Sequence, residues 1–233
     1  LIKPFAKSIL RAAGYTAIRD TSLSIFSGCE FTHVFDVGAN TGQYALQLRK
    51  KFGFKREILS YEPMSLPYAK LSKASEHDQH WTAIRLGMGA KPGNAVINVA
   101  ANSASSSLLN MLPKHEEAAP EATFIGKESI SVTTLANEIT ERTDERASVF
   151  VKIDTQGYEI EVLKGMGDAA GRVDAIQLEV SLVPLYENAP LIEDVFAYMR
   201  SIGFYPHWIS QGFSEGESGQ LLQIDAFFFR SKT

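Results

Sequence analysis

The chain has 233 residues, 45% of them hydrophobic and 21% charged, with a formal net charge of −4. That length suffices for one sizeable α/β domain with its own core. The mild acidity argues against a nucleic-acid partner, which calls for a basic face. The single cysteine, Cys29, rules out an intrachain disulfide, so a reducing, cytoplasmic setting is the default expectation. No apolar run approaches the ~18 residues needed to span a bilayer. The sequence shows no secretory signal, and its start at Leu1 leaves a removed leader open.

Residues 3–13 read as a short basic helix, with Phe5, Ile9 and Leu10 on one side and Lys3, Lys7 and Arg11 elsewhere. A lid or packing helix at the domain edge is the plain expectation, and a membrane-surface helix is the alternative. Residues 14–30 are mixed and polar, a connector, so the main domain is expected over 31–233. A short apolar run, His33 to Val37, then enters Gly38-Ala39-Asn40-Thr41-Gly42, and Tyr44, Ala45, Leu48 and Phe52 follow at helical spacing. Strand, glycine turn and helix together point backbone N–H groups and the positive end of a helix at a ligand above the strand. Gly38 and Gly42 allow a tight turn and a close approach. A pyrophosphate cradle needs the middle glycine of G-x-G-x-x-G. Here Asn40 takes that place, and an acid, Asp36, precedes the first glycine. A ligand carrying an amino group and a sulfonium tolerates that carboxylate where a pyrophosphate does not.

Glu57 to Tyr61 reads as a second strand, ending in Glu62-Pro63. In this class of sheet an acid at that point takes ribose hydroxyls, and an ionised carboxylate accepts from two of them. Trp81 to Met88 reads as a third strand, with Gly87-Met88-Gly89 placing Met88 beside an adenine. Val96 to Ala100 and Ser129 to Thr133 are short β-rich pieces. Between them lies a Ser-rich, then charged, insertion over residues 101–127, the natural place for a small cap or for a flexible loop. A helix begins at Leu135.

Ser148 to Ile153 is the most strand-like run. Period two sets Phe150, Lys152 and Asp154 on one face. A lysine in an apolar strand is costly unless it reaches a carboxylate, so Lys152 is expected to pair with an acid. Asp154 ends its strand where ligands bind in open α/β sheets; the plain alternative is an N-cap for the next helix. Glu179, between Leu178 and Val180, sits in another apolar strand and needs a partner. Ile192, Val195, Phe196, Met199 and Ile202 form an amphipathic helix closed by Gly203. Phe204 to Ser210 and Leu222 to Arg230 read as an antiparallel hairpin joined by the glycine-rich stretch 211–219. The five histidines are scattered and make no zinc-type cluster.

The D-x-G-x-N-x-G run from Asp36 to Gly42 resembles motif I of S-adenosylmethionine (SAM) methyltransferases. Taken with Glu62, the serine run ending in Leu108, Leu178-Glu179-Val180 and above all Lys152-Ile153-Asp154-Thr155-Gln156-Gly157-Tyr158-Glu159 through Leu163 and Gly165, the chain resembles the FkbM family of SAM-dependent methyltransferases. The likeness runs from about Val34 to Arg230. It implies an α/β, Rossmann-like class I methyltransferase sheet of seven strands with the last antiparallel, helices on both faces and a small cap insertion. It also implies methyl transfer to oxygen, commonly on a sugar, glycan or polyketide hydroxyl. One departure stands out: Gln156 occupies a place where the family usually has glutamate. Distantly similar sugar O-methyltransferases use a divalent metal, and Gln156 weighs against borrowing that here.

SAM carries its own activation, so such an enzyme must align donor and acceptor and remove the acceptor's proton. Asp36, Gly38, Asn40, Gly42, Glu62 and Met88 are the residues expected to hold SAM. Asp154 is the expected base or metal ligand, Glu179 the second candidate, and His115, in the cap, an outside one. Two rival readings are a nicotinamide-dependent oxidoreductase on a similar sheet, disfavoured by Asn40 and the terminal hairpin, and a non-catalytic interaction protein of the same fold, disfavoured by the intact turn and Asp154.

Overall fold

The computed structural model describes Phe26 and residues 29–216 and 218–231. The helix expected over 3–13, and the connector 14–30 apart from Phe26, Cys29 and Glu30, lie outside the described residues.

The first apolar run forms β1 (His33–Val37), and the pattern behind the glycine turn forms α1 (Gln43–Phe52). Arg49, Lys50 and Lys51 fill the last turn of α1, against its negative end, and Gly53 closes it at φ 65°. β2 (Glu57–Tyr61), α2 (Ser65–Ser75) and β3 (Trp81–Ile84) complete the first parallel half. The chain then leaves this sheet. β4 (Gly87–Met88), β5 (Gly93–Ala100) and β6 (Phe124–Thr133) form a separate three-stranded sheet ordered β4-β6-β5, with α3 (Pro113–Ala118) in the β5–β6 connection. It returns through α4 (Leu135–Arg142), β7 (Val149–Ile153), α5 (Glu159–Lys164), β8 (Val173–Ser181), α6 (Ile192–Ser201), β9 (Phe204–Gln211) and β10 (Gln223–Arg230). The main sheet has seven strands in the order β3-β2-β1-β7-β8-β10-β9, with β10 antiparallel to both its neighbours. That is the expected architecture.

Two cores lie on opposite faces of this sheet. On one, Phe35, Val37, Val151 and Leu178 pack against Leu135, Ile139, Val162, Leu163, Val195 and Met199 of α4, α5 and α6. On the other, Val34, Ile58, Phe150 and Phe227 pack against Ala45 and Leu48 of α1 and Leu71 of α2. The second face changes character toward the strand ends. Strand register sets Ser60, Asp36, Lys152 and Gln177 side by side, with Asp225 opposite Glu179. A polar stripe thus crosses a face that is otherwise apolar.

One expectation needs correction, and one alternative left open is narrowed. The run Trp81 to Met88 is not one strand: the Leu86 N–H turns back to the Ile84 carbonyl, and Gly87-Met88 pairs instead with Val132-Thr133 of β6. The serines after Ala100 are not a loose loop. Ser105, Ser106 and Ser107 are buried, and their hydroxyls take part in defined bonds to Asn102, Ala100 and Gln156.

Candidate active site

The carboxyl ends of β1, β2, β7 and β8 surround a cavity of about 440 Å³. Its first wall is the β1–α1 turn. Gly38 lies at φ 77°, and a Cβ there would sit 1.9 Å from the Asp154 carbonyl oxygen. This glycine is therefore demanded by the neighbouring loop, which the Asp154 N–H holds to the Val37 carbonyl. Gly42, at φ 91°, is demanded by packing: a Cβ would meet the Trp81 ring at 2.9 Å. Asn40 also takes a left-handed conformation, φ 47°, which asparagine tolerates better than most residues.

Glu62 ties this turn to β2. Its Oε2 accepts from the Asn40 N–H and its Oε1 from the Met64 N–H, both at 2.9 Å. Burial, offset by those two bonds, pushes its carboxyl up to about 7. Each oxygen keeps a free lone pair for a further donor. Tyr61, Pro63, Met64, Leu86 and Met88 supply the apolar lining beside it.

The opposite wall is a network of side chains. Lys152, buried in β7, places its Nζ 3.1 Å from Asp154 Oδ2 and 3.7 Å from Asp36 Oδ1. Burial pulls the Lys152 ammonium toward neutrality, but Asp154 and Asp36 outweigh it and hold its pKa above the ordinary value. Gln156, at φ 55°, sends Nε2 to Asp154 Oδ1 at 2.9 Å and to Glu179 Oε2 at 2.6 Å. Its nitrogen thus donates to an oxygen of each carboxyl group. Gln156 Oε1 accepts from the Tyr186 hydroxyl at 2.8 Å. Glu179 Oε2 takes a second amide from Gln223 at 2.8 Å, and burial followed by Asp154 pushes the Glu179 carboxyl well up. Farther along, the Tyr44 hydroxyl donates to Gln177, whose amide donates to Asp225. Asp154 does not cap α5. Glu159 Oε1 instead staples the loop, taking the Thr155 and Gly157 N–H groups and the Thr155 hydroxyl.

The serine loop joins the two walls. The Ser103 hydroxyl donates to Asn40 Oδ1 at 3.1 Å, and the Ser107 hydroxyl donates to the Gln156 carbonyl at 2.7 Å.

The model of the methyltransferase FkbM domain matches residues 36–206. The chain belongs to the FkbM methyltransferase family. No curated protein sequence matches it significantly. Among solved structures, magnesium protoporphyrin IX methyltransferase (ChlM) from Synechocystis PCC 6803 with bound SAM is similar at 9% identity, covering 97% of this chain and 79% of that one, with a TM-score of 0.50. M. capricolum TrmK in complex with S-adenosylhomocysteine is similar at 8% identity, covering 93% and 70%, with a TM-score of 0.49. An rRNA methylase from Streptococcus thermophilus is similar at 8% identity, covering 93% and 100%, with a TM-score of 0.49. At 9% identity the likeness to the magnesium protoporphyrin IX methyltransferase is one of fold.

In this FkbM domain the structure gathers Gly38, Asn40, Glu62, Met88, Asp154 and Glu179 around one cavity. It puts two of the expected donor ligands elsewhere. Asp36 is fully buried below the cavity floor, against Ser60 and Lys152, and Gly42 serves the packing of α1. His115 is also outside the lining. It is buried, edge-on to Tyr186 at 5.0 Å, with Nδ1 unbonded among the described residues. Gln177, Asp225, Tyr44 and Tyr186 were missed. Gln177 and Asp225 carried the same signal as Glu179, a polar side chain inside an apolar strand; the two tyrosines read as ordinary core.

Proposed function

We propose that this FkbM domain transfers a methyl group from SAM to a hydroxyl of a neutral, sugar-, glycan- or polyketide-type acceptor, with Asp154 as general base. The observation that carries the reading is the meeting of two walls in one cavity: a turn clamped by Glu62, and a strand end presenting Asp154 opposite it. Residues 31–233 act as one domain with a cap over about 101–127, and the single cysteine fits a reducing, cytoplasmic setting.

The residues fit the donor. Glu62 has a lone pair on each oxygen for the ribose hydroxyls, Met88 and Leu86 offer an apolar face to the adenine, and the turn from Gly38 to Asn40 lies where the amino-acid end approaches. When bound, SAM supplies a methyl already activated by its sulfonium. The chain's own task is to orient the acceptor and take its proton. Asp154 is held by Lys152 on one oxygen and Gln156 on the other, which fixes its rotamer and leaves the remaining lone pairs for the acceptor hydroxyl. Glu179, loaded with two amide donors, positions Gln156. Glu62, Asp154, Glu179 and Asp225 line the cavity, and Lys152 is its one cation among the described residues. Such a lining offers many hydrogen-bonding groups and little positive charge, which suits neutral hydroxylated molecules.

A divalent metal does not fit this donor set. The Gln156 amide directs N–H groups at the very oxygens of Asp154 and Glu179 that would ligate it, and an ammonium holds the other Asp154 oxygen. No step is therefore assigned to one.

A thermal-shift panel of SAM, S-adenosylhomocysteine, NAD and NADP tests the donor assignment. Stabilisation by the first two alone is expected. Stabilisation by nicotinamides, or by none of the four, overturns it.

A further inference from the structure

Asp36 stands in the motif that reads as a donor cradle, yet it contacts no cavity surface. We propose that Asp36 works through Lys152, as the second seat for the ammonium that orients Asp154. This rests on Asp154 being the base.

The geometry is asymmetric. Asp36 and Lys152 are register partners on adjacent parallel strands, and Asp154 lies two residues farther along the strand of Lys152. Asp36 Oδ2 accepts from the Ser60 hydroxyl at 3.0 Å, and Ser60 in turn accepts from Trp81 Nε1 at 2.9 Å. Neutral donors thus fix the carboxylate. Its other oxygen, Oδ1, is buried and meets no hydrogen-bond donor among the described residues. Leaving a carboxylate oxygen bare costs stability. Here it faces the Lys152 ammonium, which sits 3.7 Å away while bonded to Asp154 at 3.1 Å. On the α1 side the ammonium meets the Tyr44 ring face, 5.5 Å to its centroid. Lys152 itself is only 8% exposed, at the edge of the cavity.

That arrangement matters when the proton moves. The acceptor's O–H bond breaks, its proton bonds to an Asp154 carboxylate oxygen, and the bonding pair stays on the acceptor oxygen, which bonds to the methyl carbon as the carbon–sulfur bond breaks, its pair returning to sulfur and S-adenosylhomocysteine leaving. Asp154 loses its charge and with it most of its hold on Lys152. A buried ammonium left without a partner would oppose the transfer. Asp36 Oδ1 removes that obstacle, because a shift of about 1 Å brings Nζ to charge-assisted bonding distance. Lys152 keeps all its protons throughout.

The test needs no acceptor. SAM affinity is measured by calorimetry for Asp36→Asn in the full chain, and melting temperatures are measured for Asp36→Asn, Lys152→Met and the pair, each also combined with Asp154→Asn, a neutral mimic of the protonated base. SAM affinity is expected to stay within about twofold of wild type. Asp36→Asn should lower the melting temperature by at least about 2–4 °C when Lys152 is present and hardly at all beside Lys152→Met. The coupling should grow in the Asp154→Asn background. A Lys152→Met chain that folds only together with Asp36→Asn shows the same coupling. A tenfold loss of SAM affinity in Asp36→Asn, equal costs with and without Lys152, or no growth in Asp154→Asn overturns the proposal. Turnover of Asp154→Asn alone judges the base reading, so the two can fail separately.

Discussion

The two walls of the cavity are built by different means. The donor wall is a backbone structure: Gly38 and Asn40 hold left-handed conformations, and Glu62 is fixed by two main-chain N–H groups. The opposite wall is side chain upon side chain, from Lys152 through Asp154, Gln156 and Glu179 to Gln223, with Tyr186 and Tyr44 bracing it. A backbone wall has little freedom once folded and suits recognition of one fixed cofactor. A wall of titratable groups and amides can take up a proton and readjust, which suits chemistry on an acceptor.

The sharpest way to break that distinction is at the one point where the walls touch by backbone. Gly38→Ala puts a Cβ against the Asp154 carbonyl at a positive φ, so a loss of about 4 kcal/mol of stability is expected in denaturant unfolding. A small loss would mean that the loops are free to part. Next in size is Asp154→Asn. Turnover should fall by roughly 100-fold or more while calorimetric SAM affinity stays nearly unchanged; near-normal turnover removes Asp154 as base. Glu62→Ala should do the reverse and weaken SAM binding by about 1.5–3 kcal/mol, and wild-type affinity in that variant would take Glu62 out of the donor wall.

Glu62 also predicts a pH response. Its carboxyl titrates near 7 in the fold against an ordinary value of 4.5. A raised carboxyl pKa means the fold prefers the protonated form. Its contribution to the stability of the unliganded protein is complete below about pH 4.5 and is lost as pH rises through about 7. SAM needs the ionised acceptor, so its affinity should climb by up to about tenfold between pH 6 and pH 8. Glu62→Gln should flatten both trends. Glu159, also pushed up to about 7 by burial, adds to the stability trend but not to the binding one. A smaller effect is expected at the other wall. Tyr186→Phe removes the hydroxyl bonded to Gln156 and Ser105 and should cost about 1 kcal/mol, read as a melting shift of about 2–4 °C. EDTA should leave turnover unchanged; a loss of activity would overturn the proposal that this donor set takes no metal.

The same contrast explains what was legible in the sequence. The donor wall is local: the turn, its glycines and Glu62 fall within a few dozen residues, and period and punctuation expose them. Even there the depth of Asp36, which lies beneath the cavity, is not legible, because a motif shows which residues are adjacent but not which layer they occupy. Asp154 and Glu179 were found through polarity in apolar strands, and Lys152 was rightly expected to seek an acid. Tyr44 and Gln177, 133 positions apart, meet only because β8 lies beside β7 and α1 covers them. The break after Ile84 went unseen because Trp81 to Met88 has no strong breaker before Gly87, and the chain leaves one sheet to pair in another.

One short segment bridges the two walls a second time, apart from their backbone contact. Ser103 is bonded to the donor turn and Ser107 to the loop carrying Asp154. On the proposed function, the span between those two serines would help to gauge the gap that a methyl group must cross. In-line transfer wants the reacting atoms about 3–3.5 Å apart, and an ångström of error costs on the order of 100-fold. Lengthening this span by one residue would leave every donor and base contact chemically intact, yet detune the reaction by changing only the distance between them.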